Sequence, residues 1–326
     1  RAVLGVSLAV AGVLGASAGT GSNVPAPTSS PREIYQALNA LRVDPAMIFP
    51  VSDLRLRRDA VSMTFSEGTI GFLEAYDGHV TGVVFSGRGH VSANPRDPAE
   101  KRSLARFLGV PLLDQSFSGA YLRFDDDSAD EILDQLRHGG AAPKNDEGFA
   151  ATWNKPLPNL NPGHSTRLLL DWMAETPAPF FYAELLDDRL GAYDVLIDSR
   201  RTDSVMIGQE RWANGNRYYD MWTSFKGAGT PVPAPPAFVP VSYVVDTTIH
   251  GDKTLEGAAT IELRVEHAGE RGIALELSRF LMVQSAQDAD GHDLEFFQND
   301  ALARNQLSER GNDLVLVFLP ENARAG

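Results

Sequence analysis

The histidines are the residues of this chain best able to bind a metal or carry a proton, and their spacing argues against both roles. They are His79, His90, His138, His164, His250, His267 and His292. None lies three or four residues from another, so the sequence contains no H-E-x-x-H helix and no local zinc pair. His79, His250 and His292 lie beside glycines, which favours surface turns over ligand positions.

An acidic cluster comes next as a possible cation site. Asp125, Asp126 and Asp127 are followed by Asp130 and Glu131. The cluster lacks the alternating spacing and the glycine of a calcium loop. Carboxylates at the start of a helix meet free N–H groups and the positive end of the helix dipole, which is a sufficient structural explanation. We interpret Ser128 and the residues after it as the cap of a helix that ends before Gly139.

A glycine-rich stretch and a basic run could suggest phosphate binding. The segment Ser86-Gly87-Arg88-Gly89-His90 matches neither G-x-G-x-x-G nor the P-loop, and we interpret it as a glycine-rich hairpin. Arg55, Arg57 and Arg58 alternate with leucines in part, which predicts the solvated face of a strand. Neither segment carries a specific phosphate signature.

Bulky aromatic residues could form a platform for sugar stacking. They are Trp212, Tyr218, Tyr219, Trp222 and Phe225. Core packing is the favoured interpretation, because buried aromatic side chains supply large apolar areas. No G-x-S-x-G motif occurs, and the chain has no cysteine. The sequence therefore predicts no catalytic, cofactor-binding or metal-binding residue in this chain.

The N-terminus predicts export. Residues from Ala2 to Ala16 are uncharged and mostly Ala, Val, Leu and Gly, a run too short for the roughly 20 residues of a spanning helix. Ala16-Ser17-Ala18 fits a cleavage site, so we expect residues 1–18 to be a signal peptide with a truncated basic region, and residues 19–30 to be flexible. A membrane anchor is the alternative. We expect a bacterial periplasmic or extracellular protein with no membrane span after cleavage.

The net charge and the distribution of prolines and strand patterns indicate the expected partners and the expected domains. The net charge of -14 disfavours binding to nucleic acid. Residues 31–225 predict an α+β accessory domain, 226–240 a proline-rich linker, and 241–326 a mainly antiparallel β-sandwich or saddle that is incomplete at its C-terminus. Within them we expect a turn at residues 66–68, a long loop over residues 141–163 and a strand over residues 281–286.

The segment after the linker resembles the N-terminal domain of the aminopeptidase N family of zinc metallopeptidases, the membrane alanyl aminopeptidases or gluzincins. The similarity lies in the strand Tyr243–Ile249, in Leu255-Glu256-Gly257, in Leu281-Met282-Val283 and in the turn Asp290-Gly291. Residues 42–90, beginning RVDPAMIFP, resemble the extra N-terminal region of exported bacterial members. In that family a later domain holds zinc through H-E-x-x-H, and none of its catalytic motifs occurs here.

The resemblance implies a non-catalytic role. We expect the N-terminal portion of an exported zinc aminopeptidase-like protein, inactive alone, whose β-saddle packs on its own downstream catalytic domain and helps to wall the cavity for peptide substrates. Zinc is expected only in that missing domain. The alternatives are an exported, non-enzymatic β-rich module that contacts glycan or protein, and a complete hydrolase with a dispersed site.

Overall fold

The computed structural model describes residues 29–214, 216–228, 236–278, 281–298 and 312–324. The predicted signal peptide at residues 1–18, nearly all of the segment 19–30, and residues 229–235 of the predicted linker lie outside these ranges. Within the described ranges, no helix is long and apolar enough to span a bilayer.

Short helices and longer strands alternate along the chain. The helices are α1 (Pro31–Ala40), α2 (Pro98–Leu108), α3 (Ser128–His138), α4 (Glu147–Trp153), α5 (Leu157–Leu160) and α6 (Pro162–Trp172). The strands are β1 (Val43–Arg58), β2 (Val61–Leu73), β3 (Gly82–Ala93), β4 (Leu113–Phe124), β5 (Phe180–Asp187), β6 (Gly191–Asp198), β7 (Val205–Ala213), β8 (Asn216–Phe225), β9 (Phe238–Ile249), β10 (Leu255–Val265), β11 (Gly272–Ser278), β12 (Glu295–Gln298) and β13 (Asn312–Phe318). This confirms the predicted fold class, helices with a mainly antiparallel β structure.

The first eight strands form one antiparallel sheet in chain order, β1 to β8. Apolar side chains line both faces. One face packs against α2 and α3 through residues such as Leu104 and Ile132, and the other packs against α1 and α6 through residues such as Leu38 and Leu168. The sheet is therefore the middle layer between two layers of helices.

The two edges of this sheet approach each other at one end. The backbone N–H of Ala228, just after β8, donates to Asp59 Oδ1 in the β1–β2 turn at 3.0 Å. Because β1 and β8 are the first and last strands in the sheet order, this contact requires the sheet to curl.

The predicted turn at residues 66–68 is wrong, because β2 runs through it as one strand with a bulge between Phe65 and Glu67. The predicted hairpin at residues 86–90 is also wrong, since these residues lie inside β3. Gly68 pairs with Gly87 across the two strands. A Cβ on Gly68 would lie 2.7 Å from the Gly87 Cα. The glycines therefore permit close strand approach.

The predicted long loop over residues 141–163 is largely helical, so that expectation is also wrong. Asp146 caps α4 by accepting from the Phe149 N–H at 2.8 Å. Trp153 and Leu157 then bury their side chains in the face shared with α1 and α6. Prolines and asparagines suggested a loop, but proline is tolerated in the first turn of a helix, and these helices are short.

The C-terminal region forms a small sandwich of two sheets. Strands β9 and β10 pair as a hairpin, and β11, β13 and β12 form a second sheet in that order. The predicted strand over residues 281–286 is absent. The side chain of Gln298 instead accepts from the Val283 N–H at 2.7 Å and donates to the Leu281 carbonyl at 2.8 Å, so an amide side chain replaces a strand partner.

Strand β13 is buried on both faces and joins the two regions. Val315 and Val317 pack into the sandwich, whereas Leu316 and Phe318 pack with residues of α1 and α6. Successive side chains of a strand point to opposite faces, so one strand contributes to two cores.

Candidate functional site

The structure disperses the histidines. His79, His250 and His292 are exposed, as the turn interpretation predicted. His164 is buried in the first region, with its ring centroid 3.7 Å from that of Tyr182. The four lie on separate elements, and no shared metal site forms from them in the described part of the chain.

The acidic cluster contacts a basic residue that the sequence placed on a solvated face. Arg58 Nε lies 2.7 Å from Asp126 Oδ2, and Arg58 Nη1 lies 2.8 Å from Glu131 Oε2. Its side chain is 15% exposed, so the prediction of a solvated position is wrong for Arg58. Ser128 donates to Asp126 and does not cap α3, whose N-cap is Asp127. These ion pairs fasten α3 to the end of β1.

Asp125 belongs to a different network, beneath α6. Its Oδ1 accepts from the Phe180 N–H at 2.7 Å, while its buried Oδ2 has no hydrogen-bond donor among the described residues. Burial and the neighbouring carboxylate of Asp171 raise the pKa of Asp125 to about 10. A protonated Oδ2 is itself a hydrogen-bond donor and can donate to Asp171, so it needs no donor from another residue.

Two arginines complete this network, and one of them, Arg200, reaches the C-terminal region. Asp171 is fully buried and ion-pairs with Arg167 and with Arg200, whose Nη2 lies 2.9 Å away. Arg200 Nη1 lies 3.1 Å from Glu270 Oε1. Arg167 Nη2 lies 2.9 Å from Asp198 Oδ1. The geometry is that of a buried structural network between the two regions.

The predicted aromatic set divides between core and surface. Tyr219 and Trp222 are buried, as core packing predicted. Trp212 is 64% exposed and Tyr218 is 43% exposed. Arg211 and Tyr218 lie opposite each other in the ladder and so share a face, whereas Trp212 lies on the other face. The exposed rings do not form a common platform.

One exposed turn brings potential metal ligands together. Ligand atoms of Asp288, Asp290 and His292 lie within 4.8 Å of one another. Asp288 Oδ1 accepts from the backbone N–H groups of Asp290 and His292, each at 2.9 Å, and these bonds lower the pKa of Asp288. Gly291 adopts a φ of 84°, which confirms the predicted turn. Turn formation explains the arrangement without an ion.

The β9–β10 hairpin exposes an apolar surface, which we call the hairpin face. Directly paired residues point to the same side, and Ile261 of β10 pairs with Tyr243 of β9. Ile261 is 6% exposed, because it packs in the sandwich, whereas Tyr243 is 58% exposed. Val245 and Ile249 follow on the same side and are 60% and 74% exposed. The hairpin face therefore continues the sandwich core without a cover among the described residues.

A polar cleft of about 820 Å³ opens where the sheet edges converge. Four segments line it: the β1–β2 turn, the start of α2 with the loop before it, the β6–β7 loop, and the end of β8 with the residues that follow. Its polar residues are far apart in sequence, so no local motif could have indicated it.

No family model, curated protein or solved structure matches this chain. The resemblance to the aminopeptidase N family therefore stays a prediction, as do the expected export and the expected zinc of a further domain.

Proposed function

We propose that this chain is the non-catalytic N-terminal portion of an exported zinc aminopeptidase-like protein. In this proposal the hairpin face packs against a catalytic domain in the same polypeptide and helps to wall its peptide-binding cavity. Zinc and the peptide substrate belong to that domain.

The observation that carries the proposal is the hairpin face. Tyr243, Val245 and Ile249 of β9 are each more than half exposed. They lie on the same side of the hairpin as Ile261 and Leu263 of β10, which are buried in the sandwich core. Contiguous exposed apolar surface usually marks an interaction site. A covering domain would remove these side chains from water, which is the main driving force of association.

The free edge of β9 supports the same conclusion. In the described residues, β9 pairs only with β10, so the opposite edge presents unpaired backbone N–H and C=O groups. Such edges are normally protected by charges or prolines. Strand β9 has one charged residue, Asp246, and one proline, Pro240, close to its start. Most of the edge is thus suited to contact with another domain.

Amide hydrogen exchange tests the docking surface. Within residues 241–249, we expect the amides that point away from β10 to exchange rapidly in purified residues 19–326, and to be strongly protected in the longer polypeptide that carries the catalytic domain. Residues of the buried strand β4 serve as the internal control, because they should exchange slowly in both. Equal exchange of residues 241–249 in the two proteins would contradict the proposed docking.

Activity and coding sequence test the proposed identity. Purified residues 19–326 should release no amino acid from aminoacyl anilides, with or without added zinc. Zinc-dependent, chelator-sensitive turnover by these residues would overturn the proposal. So would a reading frame that closes shortly after Gly326 with no H-E-x-x-H motif.

A further inference from the structure

The polar cleft presents hydrogen-bond donors from three separate segments. Arg57 comes from the end of β1, Arg96 and Asn94 from the loop before α2, and Lys226 from the residues after β8. All four side chains are exposed. Among the described residues, none of the three cationic side chains has an ion-pair or hydrogen-bond partner. They are therefore free to donate to a ligand.

The same cleft presents acceptors that are held in place. Asp97 Oδ1 accepts from the Ala99 N–H at 2.6 Å, Glu100 Oε2 from Thr223 Oγ1 at 2.7 Å, and Asp203 Oδ2 from Ser224 Oγ at 2.9 Å.

These bonds use one oxygen of each carboxylate. The other oxygen of Asp97, Glu100 and Asp203 accepts no hydrogen bond within the part of the chain that the structure describes. Asp59, the fourth acid, accepts from the Ala228 N–H at 3.0 Å. A site whose acceptors are fixed by neighbouring groups loses less conformational entropy on binding.

The balance of charges selects the class of ligand. Three cationic and four anionic side chains line the cleft, so neither a strongly anionic nor a strongly cationic ligand is favoured by the summed field. A hydroxyl group both donates and accepts a hydrogen bond. A neutral ligand with many hydroxyl groups can therefore use the arginines and the carboxylates together.

The remaining features fit a sugar. Phe225 packs partly against the core of the sheet and also lines the cleft. The part of an aromatic ring that stays exposed offers an apolar surface to the C–H groups of a pyranose. The volume of about 820 Å³ lies within the range of small-ligand sites. We propose that this cleft binds a short, neutral oligosaccharide. The inference does not depend on the presence of a peptidase domain.

Ligand-observed NMR and calorimetry with maltotetraose, cellotetraose and chitotetraose test the proposal. We expect at least one of the three to bind saturably to the full chain. The double variant Asn94→Ala, Arg96→Ala should bind that sugar about 10-fold more weakly, because two exposed hydrogen-bonding groups are removed. Phe225→Leu keeps an apolar wall but removes the ring, and should also weaken binding.

The matched control is the double variant Arg102→Ala, Asn145→Ala, which removes the same residue types from exposed positions outside the cleft. Its affinity should equal that of the unaltered chain. The proposal is overturned if none of the three sugars binds, if the cleft and control variants bind alike, or if pyrophosphate binds more tightly than every sugar. Equal melting temperatures of the variants show that folding is intact.

Discussion

Replacing Asp125 with asparagine tests the interpretation of the network beneath α6. The carboxyl group keeps its proton in the folded chain, because burial and Asp171 raise its pKa to about 10. In the unfolded chain its pKa returns to about 3.9. Between these values the folded state binds one more proton than the unfolded state, so the free energy of unfolding decreases as pH rises.

The magnitude follows from the proton balance. Each unit by which the pH exceeds the pKa of Asp125 in the unfolded chain adds about 1.36 kcal/mol to the cost of protonating this group on folding. At pH 7 this cost is at most about 4 kcal/mol. An asparagine side chain at this position needs no proton; its amide can accept from Phe180 and donate to Asp171. The amide still carries a burial cost of about 1 to 3 kcal/mol. We therefore expect Asp125→Asn to stabilise the chain by on the order of 2 kcal/mol at pH 7.

Urea unfolding from pH 4 to pH 9 measures this effect. Near pH 4 the protonation cost of Asp125 almost vanishes and the burial cost of the amide remains, so Asp125→Asn should be the less stable protein by about 1 to 3 kcal/mol. Its stability relative to the unaltered chain should rise with pH, so that it is the more stable protein at pH 7. Asp127→Asn is the control, since it makes the same substitution at a side chain that is 86% exposed and lies outside the network beneath α6. Parallel curves for the unaltered chain and Asp125→Asn, or a less stable variant at pH 8, would refute the assigned protonation.

Two further substitutions test the packing. Gly87→Ala should destabilise the chain by about 2 kcal/mol or more, because its Cβ would clash with the Glu67 carbonyl oxygen. Gly251→Ala is the control and should have little effect, because a Cβ there would meet no atom within 4 Å. Equal denaturation midpoints of the two variants would contradict this prediction. Phe318→Ala should cost about 3 to 5 kcal/mol and lower the unfolding midpoint reported by tryptophan fluorescence, since every tryptophan lies before residue 226. Val241→Ala, at a 52% exposed position, is its control, and an unchanged tryptophan midpoint in Phe318→Ala would show that the two regions unfold separately.

Local interactions made several elements predictable. Ser30 and Glu33 form a capping box at the start of α1, in which the Glu33 N–H donates to Ser30 Oγ at 3.2 Å and the Ser30 N–H donates to Glu33 Oε2 at 2.9 Å. Asp97 caps α2, and Gly109 ends it with a φ of 76°. The alternation of Ile261 and Leu263 with polar residues is likewise typical of a strand, and these residues lie in β10. Each signal lies within a few residues of its effect.

Long-range contacts made the rest unpredictable. The residues at 66–68 resemble a turn, but pairing with both β1 and β3 holds them in one strand. Arg58 lies in a basic run, but Asp126, just before α3, and Glu131, within α3, form ion pairs with it and leave its side chain only 15% exposed. Asp125 resembles its acidic neighbours in sequence, but the fold buries it and places it beside Asp171.

The sequence by itself determined the short-range features of this protein. The absence of cysteine excludes disulfide bonds and thiolate ligands within these 326 residues, and helix caps and apolar alternation indicate many of the helices and strands. Only the tertiary structure decided which surfaces are left uncovered. The hairpin face is exposed because no described residue covers Tyr243, Val245 and Ile249, although Ile261 and Leu263 of β10 are buried in the sandwich. The polar cleft lies where the curled sheet brings its two edges together. Burial and curvature depend on contacts between distant segments, which spacing along the chain does not record.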